Sequence, residues 1–326
     1  MINEKEILKI ISKYETFLVC SHIHPDGDAI GSQLAITKLL KTMGKTVEIV
    51  NNDAVPQKFS FLPGFKQIKK YKNCNQKQLQ ADAVIVLDCP TTDRLGNARE
   101  LLKGRYVFNI DHHISNGNFG AVNWVDTQAS SVGEMIYKLY KKIKNSLDFQ
   151  SALCLYVSIM TDTGSFKYSN TTSLTHKIIS ELLQYKINPA QVYESVYQTR
   201  SYHNLKLVSD VLANLRFSKD YRLCWFVITN AMLKKNKSNL HNTDDFIDFV
   251  RMIKGVEVVA FFRELESGKK VKVSLRAKSV VDVNAIAKKF GGGGHKLASG
   301  CVVEDTTENA QKIVLKQIRK ELRDCK

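Results

Sequence analysis

Residues 16–51 read TFLVCSHIHPDGDAIGSQLAITKLLKTMGKTVEIVN. Thr16–Ser21 and Thr46–Asn51 are short apolar runs of strand type. Between them, Ala29–Met43 is apolar at Ile30, Leu34, Ile36, Leu39 and Leu40, and Gly44 follows as a helix stop. Two further runs, Ala83–Asp88 and Arg105–Asp111, continue the alternation. This pattern predicts an α/β domain with a largely parallel sheet and helices on both faces. In such sheets ligands collect at the carboxyl ends of strands. Three of the four runs end in His or acidic residues: His22 to Asp28, Asp88, and Asp111 to His113.

The chain has 326 residues, more than one core usually holds, so two domains are expected. From Ser130 the pattern turns helical: Ser131–Lys142, Gln150–Met160, Leu174–Tyr185 and Ala190–Tyr197, with Pro189 as punctuation. Arg200–Arg216 contains no Gly or Pro and reads as a connecting helix. A second series then follows, with strands Leu223–Thr229, Val256–Leu265, Lys270–Ala277 and Ser299–Val303. Its helices are Asp244–Ile253, Asp282–Phe290 and Thr307–Arg323. The expected division is a catalytic domain over 1–190, a helical linker over 191–216 and a smaller α+β domain over 217–326.

Composition narrows the class. Hydrophobic residues at 44% and charged residues at 25% argue against disorder. Against 32 Asp and Glu stand 48 Lys and Arg, and the surplus of +16 favours a polyanionic partner. The longest apolar runs, such as Ala83–Leu87 and Val258–Phe262, are too short to cross a bilayer. The opening MINEKEILKI has acids and no sustained apolar core, so no signal peptide is expected there. Seven scattered Cys without Cys-x-x-Cys speak against a disulfide framework or a thiolate zinc site. A cytoplasmic protein with no membrane partner is the expectation.

Chemistry concentrates in four segments. HIHPDGDAIGS carries His22, Asp26 and Asp28, with Gly27 as a turn and Gly31 and Ser32 at a helix start suited to phosphate. Taken alone, an Asp-rich turn before a helix is commonly a cap. VIVLDCPTTDRLG places Asp88 at the end of a buried strand, where a lone carboxylate is costly, and Asp93 and Arg94 read as a loop ion pair. Asp111-His112-His113 directly follows the apolar VFNI. SIMTDTGSF puts Asp162 at the end of an apolar helix that Gly164 breaks. His22, Asp26, Asp28, Asp88, His112 and Asp162 together offer four carboxylates and two imidazoles. That is more than one open catalytic ion takes, and it suits two divalent cations sharing a carboxylate, the arrangement used for phosphoryl displacement.

These motifs resemble those of the DHH phosphoesterase superfamily, whose name is the Asp111-His112-His113 run. The tail Gly291–His295, GGGGH, followed by KLASG, is similar to the DHHA1 companion domain. The two-domain layout with H-x-x-P-D-x-D-A-x-G-S is most similar to bacterial nanoRNases, oligoribonucleases that also act on 3′-phosphoadenosine 5′-phosphate. The resemblance implies a DHH domain joined by a helical linker to a DHHA1 domain. It implies two divalent ions, manganese by expectation, one on His22, Asp26 and Asp88 and the other on Asp28, Asp88, His112 and Asp162. Catalytic roles then fall to Asp88 as the bridge, His113 facing the substrate phosphate and Asp111 supporting the histidines. His24 is loop filler on this reading.

Activated water is the expected nucleophile, with His113 donating to the phosphoryl or leaving oxygen. Four glycines, Gly291, Gly292, Gly293 and Gly294, are poor in helix or strand and are expected to form an anion nest beside His295. Arg276 and Lys296 add charge there. By resemblance this surface binds the terminal nucleotide through Arg276 and His295, with Arg263 as a further contact. Lys167 and Ser169 either contact phosphate or are simply solvated. Expected partners are short oligonucleotides or adenine dinucleotides, and a homodimer is left open. A cyclic di-AMP phosphodiesterase shares the motifs. A type II pyrophosphatase lacks the GGGGH domain, and a long-strand exonuclease of the superfamily usually carries more domains. A simple nucleic-acid binding module would not gather carboxylates that repel phosphate.

Overall fold

The computed structural model describes residues 2–144, 146–238, 246–265 and 268–324, with Lys77, Asp248 and His295 described in backbone alone. The chain divides into two compact units, Met1–Thr199 and Arg200–Lys326.

The first unit runs α1 Glu4–Ile11, β1 Thr16–Ser21, α2 Gly27–Thr42, β2 Thr46–Asn51, β3 Ile68–Lys70, β4 Ala83–Leu87, β5 Tyr106–Asp111 and β6 Val122–Val125. It continues with α3 Val132–Tyr140, α4 Phe149–Asp162, α5 Ser173–Leu183 and α6 Pro189–Tyr197. The strands form one sheet in the order β3-β2-β1-β4-β5-β6, parallel throughout. Every residue of β4 is buried, as a central parallel strand covered on both faces must be. The order reverses between β1 and β4, and the crevice beyond their carboxyl ends is where such sheets hold ligands.

One face, through Phe17, Val19, Ile85, Leu87, Phe108 and Ile110, packs against the α-helices. The other, through Leu18, Cys20, Val84 and Val86, packs against Leu95, Ala98 and Leu101. Those three lie in a 3-10 segment, Thr92–Leu102, interrupted where Gly96 takes φ 58° and ψ −137°. The helical cover expected on both faces is thus α-helical on one and 3-10 on the other. Edge strands β3 and β6 escaped the sequence reading because they are short, and two of the three β3 residues are lysines.

The second unit runs α7 Tyr202–Ala213, β7 Arg216–Phe217, β8 Leu223–Ile228, α8 Asn230–Lys235, α9 Phe246–Arg251, β9 Val258–Glu264 and β10 Val271–Ala277. It ends with α10 Val283–Lys288, β11 Gly293–His295, β12 Ala298–Val303 and α11 Thr307–Asp324. Its sheet has the order β11-β12-β10-β9-β8-β7, antiparallel except for β8 with β9. The expected helix Asp244–Ile253 begins outside the described residues. The stretch 191–216, expected as a linker, is two helices divided between the units: Val192 and Val196 of α6 join the first core, whereas Leu207 and Val211 of α7 join the second. Every described cysteine is a free thiol. Among the described residues no helix is long and apolar enough to cross a membrane.

Candidate metal centre

Close helix packing brings the four sequence segments together. A Cβ on Gly27 would lie 2.3 Å from Thr161 Oγ1, and one on Gly31 would lie 2.4 Å from the Cys154 carbonyl oxygen. Both glycines therefore serve the approach of α2 to α4. Gly31 and Ser32, expected to hold phosphate, are instead buried inside α2, which starts four residues earlier than Gly31. Gly133 does the same for α3, where a Cβ would meet Ser158 Oγ at 1.9 Å. With the helices this close, Asp28 at the start of α2 accepts from the Val132 and Gly133 amides of α3 at 2.8 and 3.1 Å. Its third donor is the Ser158 hydroxyl of α4.

The other donors come from strand ends. Asp88 follows β4 with φ 53°, a left-handed conformation that Asp tolerates better than most residues. Its Oδ2 lies 3.4 Å from His22 Nε2, and its Oδ1 lies 3.6 Å from His112 Nε2. His112 Nε2 is also 3.8 Å from Asp28 Oδ2 and 3.4 Å from Asp162 Oδ2. Asp26 Oδ1 lies 4.0 Å from His22 Nε2, and the same oxygen caps α2 through the Asp28 and Ala29 amides, so the capping reading holds as well.

Ligand atoms fall into overlapping groups within 4.8 Å of one another: His22 with Asp26 and Asp88, and Asp28 with His112 and Asp162. A third group joins Asp88, His112 and His113. The donor set fits divalent cations because the imidazoles are prepared for it. His22 Nδ1 is tied to the Ile23 carbonyl at 2.7 Å, and His112 Nδ1 to the Ala129 carbonyl at 3.2 Å. Each Nε2 is thereby turned toward the acids, the outer-shell device that orients ligating histidines.

His113 differs. Its Nδ1 lies 2.8 Å from Asp111 Oδ1, against 3.6 Å to Asp88, so the closer carboxylate engages that nitrogen. Asp111 is fully buried and also accepts from the His112 amide at 2.9 Å and Asn116 Nδ2 at 2.5 Å.

Electrostatics show what such crowding costs without cations. Burial would raise the Asp88 carboxyl, but hydrogen bonds from His112 and His22 hold it well below the usual carboxylate range. Burial and the charges of Asp88 and Asp162 push Asp28 well above it. Asp162 is pushed up to about 7, chiefly by burial. Burial disfavours the charge on His112, yet the Asp88 hydrogen bond and the Asp28 and Asp162 charges push it up to about 10.

The sequence reading missed the residues that hold these groups. Asn170 Nδ2 donates to the Ser130 carbonyl at 2.9 Å and the Asp162 carbonyl at 3.2 Å. Glu134, buried, takes the Ser130 hydroxyl at 2.7 Å. The Ser-x-x-Glu spacing of Ser131 and Glu134 was a visible helix-start signal. No ion pair links Asp93 and Arg94 among the described residues; Arg94 Nη2 instead lies 3.5 Å from His22 Nδ1.

In the second unit the glycine run is not a free loop. Gly291, with φ 68°, and Gly292 close a Schellman cap on α10, their amides donating to the Lys288 and Ala287 carbonyls at 3.1 and 3.0 Å. Those two amides are therefore not open to an anion. Gly293 and Gly294, against expectation, belong to β11. A Cβ at Gly294 would stand 2.6 Å from the Ala298 carbonyl oxygen, so bare backbone is what lets the strand pair. Register places Arg276, Ala298 and His295 in one row across three strands, with Ser274, Gly300 and Gly293 in the next. Arg263 pairs with Lys272 on the same face. The His295 side chain lies outside the described residues. Cations beside Gly, Ala and Ser make this part of the sheet a basic shelf with a low floor.

Known proteins share both units. The DHH family, N-terminal domain, matches residues 16–159, and the DHHA1 domain matches residues 227–324. The bifunctional oligoribonuclease and PAP phosphatase NrnA of Bacillus subtilis (strain 168) is 31% identical over 301 residues, 91% of this chain and 92% of that protein. Its namesake in Thermus thermophilus is 30% identical over 318 residues, 97% of this chain and 93% of the relative. A crystal structure of an exopolyphosphatase-related protein from Bacteroides fragilis superposes with a TM-score of 0.90 at 30% identity, covering 96% of this chain and 94% of the other. With these relatives spanning nearly its whole length, the chain belongs to the DHH family and carries a DHHA1 domain.

Proposed function

We propose that this protein is a manganese-dependent phosphoesterase that hydrolyses short oligonucleotides to mononucleotides and also dephosphorylates 3′-phosphoadenosine 5′-phosphate. The observation that carries the reading is the sharing of Asp88 and His112 among overlapping donor groups at the carboxyl ends of β4 and β5. The names of the relatives, oligoribonuclease and PAP phosphatase, support the substrate class. His22, Asp26 and Asp88 would hold one ion, and Asp28, Asp88, His112 and Asp162 the other. Two divalent cations, when bound, supply a nucleophile at neutral pH and neutralise the non-bridging phosphate oxygens.

The chain's own residues supply the rest. Asp111 accepts a hydrogen bond from His113 Nδ1–H and favours the imidazolium, whose Nε2–H can hand its proton to the leaving oxygen. Burial disfavours the charge on His113, but the hydrogen bond to Asp111 raises its pKa and keeps the proton available. Arg276, His295 and Arg263 on the DHHA1 shelf would bind the terminal nucleotide, with Gly293 in its floor.

The test is a manganese assay on dinucleotides, pApA, cyclic di-AMP and 3′-phosphoadenosine 5′-phosphate, with chelator and Asp88→Ala as controls. Hydrolysis of the linear substrates that both controls abolish is expected. Turnover indifferent to chelator would reject the metal reading, and cyclic di-AMP cleaved fastest would favour the cyclic-dinucleotide alternative.

A further inference from the structure

Beyond Asp162 the chain turns left-handed. Gly164, Ser165 and Phe166 have φ of 56°, 58° and 67°, and the Lys167 amide closes the turn on the Thr163 carbonyl at 3.1 Å. L-residues resist this hand because Cβ crowds the next carbonyl, and strained backbone of this kind gathers at binding sites. Phe166, half-buried, packs near Tyr156 and His176, with ring centroids 6.3 and 5.7 Å away.

What the turn achieves is the placement of Tyr168. A Cβ on Gly164 would lie 2.4, 2.5 and 2.7 Å from Tyr168 Cζ, Cε2 and Cε1. Near-equal distances to three ring atoms put that point over the face of the phenol rather than at its edge. One face of the ring thus rests on glycine backbone, while Tyr168 as a whole is 49% exposed. Lys167 Nζ lies 5.8 Å from the ring centroid. Tyr197 bonds the Ser165 side chain and senses the charge of Asp162. Tyr193, 45% exposed, stands 4.9 Å from Tyr197 between centroids. Three phenols and an ammonium therefore gather within the catalytic unit, Tyr193 and Tyr197 from α6 and Tyr168 and Lys167 from the segment that also carries Asn170, a donor to the Asp162 carbonyl. Open aromatic faces interleaved with positive charge are how proteins hold single-stranded nucleotides.

We propose that the Tyr168 ring, backed by Gly164 and flanked by Tyr193 and Tyr197, is a stacking platform for the nucleobase next to the scissile phosphate, with Lys167 supplying charge to that nucleotide. This rests on the phosphoesterase reading and adds a base subsite inside the catalytic unit. Every base has a π-face, so the subsite tolerates all four and selects for a base rather than for a sequence.

A dinucleotide carrying 2-aminopurine, titrated with the full chain in calcium instead of manganese, reads stacking as fluorescence quenching. Quenching is expected in wild type and in Tyr168→Phe. Tyr168→Leu keeps bulk without a π-face; it should lose the quenching and bind roughly ten- to a hundredfold more weakly. In the manganese assay the same variant should raise KM and leave kcat unchanged. An abasic analogue should bind all three proteins alike. Equal quenching by the Leu variant, or an abasic analogue that separates the variants as strongly as the base does, overturns the proposal. Tyr193→Ala, expected to weaken binding less, provides a second reading if the Leu variant melts early. Failure of wild type to hydrolyse any dinucleotide would reject the phosphoesterase reading, while the quenching would still decide the platform.

Discussion

Titrating the metal-free protein with manganese near neutral pH should expel protons, and the structure says from where. A cation can use His112 Nε2 only without its proton, and His112 is pushed up to about 10, the Asp88 hydrogen bond and the charges of Asp28 and Asp162 outweighing burial. At about pH 7.5 nearly every His112 is therefore charged, and metal binding releases about one proton from it. Asp162, pushed up to about 7 by burial with His112 opposing, retains a proton in a minority of molecules, and Asp28, raised well above the ordinary range, adds a further fraction. The total is about one to two protons per chain. The sign follows from linkage. Asp162 and His112 hold protons more tightly folded than at their reference values of 3.8 and 6.5. Stability from Asp162 is full below about pH 4 and is lost toward 7; stability from His112 is full below about 6.5 and is lost toward 10. The metal-free protein should melt at lower temperature as pH rises, while manganese affinity should grow. Calorimetric titration in buffers of different ionisation enthalpy counts the protons directly. A binding enthalpy independent of buffer, or an affinity that falls with rising pH, would refute the reasoning.

Further outcomes test the scaffold and the grip. Gly133→Ala drives a methyl to 1.9 Å from Ser158 Oγ; overpacking of this kind should cost about 1–3 kcal/mol in a denaturant melt. It should also weaken metal binding about ten- to a hundredfold, because Asp28 loses its fixed donors. Asn116→Ala removes the 2.5 Å donor to Asp111, so kcat should fall while calorimetric metal affinity is held. Arg276→Gln should raise KM for linear dinucleotides by about tenfold, the worth of one charged hydrogen bond, with kcat unchanged. The surplus of +16 should make KM rise with salt, and a KM flat from low to high salt would contradict steering.

Much of this was legible in the sequence because parallel strands announce themselves. A short, β-branched apolar run such as VIVL leading into Asp88 reads as a buried strand ending in a carboxylate, and the same reading finds Asp111-His112-His113. What the sequence concealed were contacts that depend on tertiary approach. Asn170 and Asn116 look like ordinary loop residues until their partners arrive from other segments. Gly27 read as a turn between two acids and Gly31 as part of a phosphate-binding helix start, whereas both let α2 lie against α4. The glycine run misled for a related reason. Low strand propensity describes an isolated segment, while β11 pairs because neighbouring backbone leaves no room for a side chain.

Packing, more than loop geometry, explains how four mutually repelling carboxylates come to share one pocket. Asp28 sits on α2, Ser158 and Asp162 on α4, and the amides that grip Asp28 on α3. Glycines at positions 27, 31 and 133 set how closely these helices approach. Their apolar faces bury Ile30, Leu34, Ile136, Leu155 and Ile159 in the main core, each worth about 1.5–3 kcal/mol. That burial works against the repulsion between the acids, so the helices share in assembling the pocket. His112, just past the end of β5, stands 3.8 and 3.4 Å from Asp28 and Asp162, and its charge offsets part of that repulsion. A cation entering such a pocket relieves strain already present instead of organising a disordered loop. Its affinity should accordingly respond to glycine substitutions on the helices as strongly as to changes in the ligands' immediate partners.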